Sequence, residues 1–151
     1  MAESKRALDR DRTFGDAAVD GLLAGGAAGI LMIVYLLLAS LAQGQSILAL
    51  LSRFDPGQAA SSVTGGLIHL AVSGVYGLVF GLGRRLTAGW PVLGRLPGWL
   101  AGVLYGLLLL AVAWTVILPG TNSAVREIPL VHLAIAHVIY GLSTGIQLGR
   151  R

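Results

Sequence analysis

The chain has no cysteine, a single lysine (Lys5) and few charges of any kind: Asp, Glu, Lys and Arg make up 12% of its 151 residues. Without cysteine there is no disulfide, no thiol nucleophile and no thiolate metal site. The one lysine lies in the N-terminal tail, so no Gly-rich phosphate loop is followed by a lysine; a His-Glu-x-x-His helix and a paired-carboxylate site are also absent from the sequence. No Asp or Glu falls inside an apolar stretch, which disfavours a carboxylate-based pump or carrier. Asn122 and Ser123 share a loop with Glu127, but nothing sets a general base beside that serine. These absences point away from an enzyme.

What remains is apolar. Hydrophobic residues make up 55% of the chain and 22 residues are glycine, a combination foreign to soluble cores and common in membrane helices. Four apolar runs, at about residues 21–42, 63–83, 97–118 and 130–148, each come close to the ~20 residues that cross a bilayer. The expected fold is all-α: a transmembrane four-helix bundle over residues 21–151, preceded at residues 1–20 by a cytoplasmic tail or interfacial helix. In that tail Lys5, Arg6, Arg10 and Arg12 face Glu3, Asp9, Asp11, Asp16 and Asp20, and Thr13 with Asp16 forms a capping pair. Ser40-Leu41-Ala42 resembles a signal-peptidase site, but the apolar run before it exceeds the ~7–15 residues of a signal peptide, so the first span reads as retained. Ile47–Leu51, followed by Arg53 and Phe54, reads as a short interfacial helix. Asp55-Pro56 reads as the N-cap and first residue of a helix leading into the second span. Pro97 and Pro129 open the third and fourth spans, and Pro119-Gly120 ends the third.

A net charge of +4 raises nucleic acid as a partner, but the basic residues gather at segment ends instead of in one patch. Four lie in the tail, three in the middle turn (Arg84, Arg85, Arg95) and two at the end (Arg150, Arg151), against Arg53 and Arg126 in the other two loops. By the positive-inside rule both termini are cytoplasmic, with the lipid bilayer as surroundings and no nucleic acid.

Each span carries small residues at every fourth position: Gly21, Gly25 and Gly29; Ser73, Gly77 and Gly81; Gly98, Gly102 and Gly106; Gly141, Gly145 and Gly149. That spacing draws a stripe along one helix face. A helical glycine costs about 0.8–1 kcal/mol against alanine, which close backbone packing can offset. With the expected topology all four stripes fall in the cytoplasmic half. The outer half holds bulkier groups (Tyr35, Leu36, Trp114, Ile117), where the helices should splay. The stripes also offer more small-residue surface than four helices need, which implies self-association or further membrane subunits. Two repeated helical hairpins fit as well. Leu23-Ala24-Gly25 with Gly29 matches Leu100-Ala101-Gly102 with Gly106, and Tyr76-Gly77-Leu78 matches Tyr140-Gly141-Leu142.

His69, His132 and His137 are the ionisable residues inside the spans. His69 and His132 occupy equivalent places near the outer starts of spans two and four; His137, five residues after His132, points to another face. Three readings stand. Each imidazole, neutral, bonds a backbone carbonyl, Ser73, Thr144 or a Tyr hydroxyl and ties helices together. Alternatively His69 and His132 are ligands of a haem or chlorophyll. In the third, the three histidines respond to external acid.

The ordered set of His69, Gly74, Tyr76-Gly77 and Phe80, then Gly106, Trp114, Pro119 and Gly120, then His132 or His137 before Tyr140-Gly141 resembles the small bacterial four-span proteins of the YagU-like type. The resemblance covers nearly the whole chain, from Gly21 to Gly149. It implies an inner-membrane protein and carries over no catalytic residue, and this chain departs from the pattern by its charged tail and second histidine in the last span. The function expected is non-enzymatic: a structural protein of the envelope or an accessory subunit of a membrane complex. A haem- or chlorophyll-binding protein and a small oligomeric channel or carrier are the alternatives.

Overall fold

A computed structural model describes residues 13–57, 59–121 and 123–150. The tail before Thr13, loop residues Gln58 and Asn122 and terminal Arg151 lie outside the described residues. Within the described residues five α-helices follow one another: α1 (Phe14–Ala42), α2 (Ile47–Ser52), α3 (Ser62–Thr87), α4 (Gly98–Val112) and α5 (Leu130–Gly149). Among the described residues there is no strand. α1, α3, α5 and the stretch Gly98–Gly120 are each long and apolar enough to cross a membrane, so the chain is an all-helical integral membrane bundle.

Local chemistry sets most helix ends. Thr13 and Asp16 form a reciprocal capping box, with the Thr13 N–H donating to Asp16 Oδ2 at 2.8 Å and the Asp16 N–H to Thr13 Oγ1 at 3.1 Å. α1 ends where Gly44 adopts φ +72°, in the left-handed region glycine enters without strain. The chain then turns into α2, capped by Ser46, whose hydroxyl accepts the Ala49 N–H at 3.1 Å. Leu50 on α2 is buried, while Ile47 and Leu48 stay exposed, as an interfacial helix requires.

Asp55-Pro56 does not open a helix. Asp55 instead closes a loop, accepting the Gly57 N–H at 2.9 Å and the Ser61 N–H at 2.7 Å, and Ser61 caps α3 by accepting the Thr64 N–H at 3.2 Å. The cause is packing: Gly65 sits against the Leu51 carbonyl, so the chain must double back over α2 before α3 begins. Pro97 and Pro129 both stand at the N-cap in extended conformation, one residue outside the helices they introduce. The third span ends unevenly. Pro119 lacks an N–H and its ring crowds the carbonyl four residues back, at Thr115. The helix responds with a wider π turn at Ala113–Ile117 and a 3-10 turn at Leu118–Gly120.

The bundle is two antiparallel hairpins, α1 with α3 and α4 with α5, joined mainly where α1 packs on α5. The glycine stripes make the hairpins. A Cβ on Gly21 would fall 2.5 Å from the Gly77 carbonyl oxygen, and one on Gly81 2.5 Å from that of Ala17. In the second hairpin a Cβ on Gly98 would fall 2.5 Å from the Gly145 oxygen, and one on Gly149 3.1 Å from Gly98 Cα. Gly102 and Gly106 abut the carbonyls of Gly141 and His137. No side chain fits between these backbones.

Two expectations change here. The stripes are used within the hairpins: Gly21, Gly25, Gly29, Gly77, Gly81, Gly98, Gly102, Gly106, Gly141, Gly145 and Gly149 each meet the partner helix, as does Ser73 against Gly29. The stripe glycines are thus spent inside the hairpins, while Gly26 and Gly83, off the stripes, meet nothing within 4 Å. Nor do all four helices converge. α3 and α4 stand apart, bridged by the Tyr105 hydroxyl donating to the Tyr76 carbonyl at 2.8 Å and by the Phe80–Tyr105 rings, 5.0 Å between centroids.

The register of the hairpins also differs from the motif match. Gly21 meets Gly77 and Gly98 meets Gly145, so α5 lies one helical turn from the alignment of Tyr76-Gly77 with Tyr140-Gly141. A stripe repeating every four residues allows that slide without losing a contact. In contact register, His137 takes the place of His69, and Gly29 and Gly106 face them.

Candidate functional site

The core lies between α1, α5 and α2, built from Ala28, Met32, Leu36, Leu50, Ile128, Leu133, Ala136 and Tyr140. Beside it, in the half of the bundle away from Arg84, Arg85 and Arg95, the hairpins leave a half-open cavity of about 230 Å³. α3 contributes His69, Ser73 and Tyr76, α5 contributes His137 and Tyr140, and the π turn contributes Ala113 and Ile117. Nearly all of the lining is apolar. The splay expected toward that end is therefore present, opened by the missing α3–α4 contact and by the widened turn that Pro119 imposes.

The polar groups of the cavity divide sharply into used and unused. The Ser73 hydroxyl donates to the His69 carbonyl at 2.7 Å, and the Tyr140 hydroxyl donates to the Ser73 carbonyl at 2.7 Å, fixing α5 to α3. His69 Nε2 lies 3.1 Å from the Gly29 carbonyl oxygen. A carbonyl only accepts, so this nitrogen carries the proton and Nδ1 of the neutral ring is a bare acceptor. His137 Nδ1 lies 2.8 Å from the Leu133 carbonyl oxygen, so its bare acceptor is Nε2. Neither bare nitrogen has a hydrogen-bond partner, and the same holds for the Tyr76 hydroxyl. Among the described residues no unpartnered side-chain nitrogen or oxygen is fully enclosed, so all three open onto accessible space. Each neutral histidine bonds a carbonyl, as the plainest sequence reading expects.

His132 belongs elsewhere. Its Nδ1 lies 2.9 Å from the Tyr35 hydroxyl and its Nε2 3.2 Å from Gln43 Nε2. Gln43 Nε2 also donates to the Ala39 carbonyl at 3.0 Å, which identifies it as the amide nitrogen. His132 Nε2 therefore accepts and Nδ1–H donates to Tyr35. Both nitrogens of the neutral ring are occupied. Around this ring lies a polar cluster in which Arg53 pairs with Glu127 at 3.4 Å and donates to Gln45 Oε1 at 3.1 Å. It ties the α1–α3 connection to the α4–α5 connection.

The haem or chlorophyll reading of His69 and His132 does not fit these residues. The two rings line different spaces, and His132 has no nitrogen to offer. The cavity also falls below the ~300–1,000 Å³ usual for sites that take drug-sized ligands, which leaves no room for a macrocycle. The pairing that sequence reasoning missed is His69 with His137. Its signal was the four-residue stripe: from each histidine, steps of four lead onto glycine and serine positions of the same helix (Ser73, Gly77; Gly141, Gly145). Among the described residues no group of three His, Asp or Glu gathers to hold a metal. No protein-family model, no curated protein and no solved structure matches the chain.

Proposed function

We propose that this chain is a non-enzymatic protein of a bacterial inner membrane, N-in and C-in, and that it binds a small, mainly apolar molecule carrying a hydroxyl or N–H donor. One observation carries the reading: a largely apolar cavity lined by two histidines, each with one ring nitrogen that has no hydrogen-bond partner among the described residues. An apolar cavity of ~150 Å³ is enough to take a benzene ring, so about 230 Å³ accommodates a single substituted ring or a short branched alcohol. The gap between α3 and α4 gives such a molecule a path from the lipid. The orientation rests on the distribution of arginines, with Arg84, Arg85, Arg95 and Arg150 at one end and Arg53 and Arg126 at the other. The shared contact pattern of the hairpins supports their origin by duplication, and the YagU-like resemblance stands with the same proposal.

The test uses 4-butylphenol and its methyl ether, 4-butylanisole, against the purified protein in mild detergent. The phenol should bind several-fold more tightly, the worth of about one hydrogen bond, and replacing both acceptors, His69→Leu with His137→Leu, should bring the two to equal affinity. Equal binding of both by the unaltered protein, or binding of neither, would remove the proposal.

An accessory role in a larger complex is the second reading, favoured by the third span. Only 11% of its most apolar window is buried, against 33% in each of the other three spans. Co-purification from mild detergent tests it; a lone chain would count against it.

A further inference from the structure

A second opening lies on the other side of the Tyr105–Tyr76 bridge, toward the basic end, and is separate from the histidine cavity. It is a lipid-facing groove of about 450 Å³ between α3 and α4. One wall is Val79, Phe80 and Gly83; the other is Ala101, Leu104 and Leu108. At 1.5 Å per residue the first wall runs about 6 Å and the second about 10 Å, up to about two-thirds of one leaflet's hydrocarbon depth. The mouth of the groove is basic. Arg84 lines it and uses one guanidinium nitrogen to donate to the Leu93 carbonyl at 3.1 Å, leaving its other donors available. Arg95, exposed, ends the short 3-10 turn Leu93–Arg95 beside it. Neither arginine is ion-paired among the described residues. Trp90 and Trp99, 59% and 52% exposed, flank the same level as interfacial tryptophans do.

We propose that this groove is a binding site for an anionic phospholipid, with one acyl chain between α3 and α4 and the phosphate held by Arg84 and Arg95. Two features select this occupant over bulk lipid. The helices leave an apolar groove here, whereas within each hairpin they meet backbone to backbone. Arg84 at the mouth, with Arg95 in the adjoining turn whose Leu93 carbonyl Arg84 bonds, supplies charge complementarity to a phosphodiester, neither being ion-paired among the described residues, and arginine's planar fork suits phosphate oxygens. A soluble phosphate would gain nothing from the apolar walls, whereas a phospholipid uses both parts. Basic pockets between membrane helices recognise anionic head groups in this way.

The test is native mass spectrometry of the full chain released from mixed micelles of phosphatidylglycerol and phosphatidylcholine with identical chains. Retention of phosphatidylglycerol should exceed that of phosphatidylcholine by about fivefold for each arginine engaged, hence five- to thirtyfold. Arg84→Gln with Arg95→Gln should bring the ratio to about one. Gly83→Leu should lower retention of both lipids at least fivefold, because a Cβ there meets nothing within 4 Å and the longer side chain fills the groove. Unchanged helicity by circular dichroism shows that both variants fold. Glycerol phosphate at the same concentration should not compete. Equal retention of the two lipids by the unaltered protein would overturn the proposal, and so would a preference that survives the double substitution or retention of both lipids left unchanged by Gly83→Leu. Displacement by glycerol phosphate would assign the arginines to a soluble anion and overturn it as well.

Discussion

Gly25 and Gly26 are neighbours in sequence and opposites in the bundle. A Cβ added at Gly25 would fall 2.6 Å from Gly77 Cα and 2.9 Å from Gly77 N, while one added at Gly26 meets nothing within 4 Å. Carbon atoms pack best near ~3.5–4.0 Å, so Gly25→Ala has to part α1 and α3 by about 1 Å. Neither backbone can give way locally, because Gly21 and Gly29 touch α3 one turn to either side. Overpacking of this kind costs about 1–3 kcal/mol, and the better helix propensity of alanine returns up to about 1 kcal/mol. With the full propensity gain the expected net loss is about 0–2 kcal/mol, up to a thirtyfold fall in the ratio of folded to unfolded chains. Gly26→Ala should be neutral or stabilising by up to about 1 kcal/mol. Unfolding by dodecyl sulfate in mixed micelles, followed by tryptophan fluorescence, measures both. Equal effects of the two substitutions, or a stabilising Gly25→Ala, would refute the packing of these helices through their stripes.

Three further substitutions test other parts of the fold. Tyr105→Phe removes the hydroxyl that bridges α4 to α3 and should cost about 0.5–1.5 kcal/mol in the same unfolding assay; no change would mean that the gap between these helices needs no tie. Pro119→Ala restores an N–H and relieves the crowding at Thr115, so the π turn at Ala113–Ile117 should close into a regular helix and narrow the cavity. 4-Butylphenol affinity should then fall at least fivefold, and an unaltered affinity would detach the cavity from the turn. Thr13→Ala removes the capping box at the start of α1 and should destabilise the first turn by about 1 kcal/mol, read as faster amide exchange confined to its first residues.

The spans were legible because lipid is a simple solvent: a run of ~20 apolar residues has few other uses. The capping pair Thr13–Asp16, the interfacial α2 and the prolines at 97 and 129 were legible for local reasons, since each is decided within a few residues. Asp55-Pro56 misled because its outcome was decided by a distant contact, Gly65 against the Leu51 carbonyl. The stripes announced close packing without naming the partner. Glycine looks the same whether it meets another helix of this chain or of another, so only the structure shows that the stripes close the two hairpins. The same uniformity hid the register. A one-turn slide keeps every glycine contact yet moves the equivalent of His69 from His132 to His137, and with it the membership of the cavity.

The central claim is that two hairpins are each closed backbone to backbone and stand open toward one another between α3 and α4. Because the chain has no cysteine of its own, paired cysteine substitutions with mild oxidation test it in membranes. Leu22→Cys with Gly74→Cys spans the closed α1–α3 face, where a Cβ on Gly74 comes 3.7 Å from the Leu22 carbonyl oxygen. Val79→Cys with Leu104→Cys faces across the groove. The account predicts rapid disulfide formation by the first pair and at least tenfold slower formation by the second. Equal rates, or faster linkage across the groove, would contradict it.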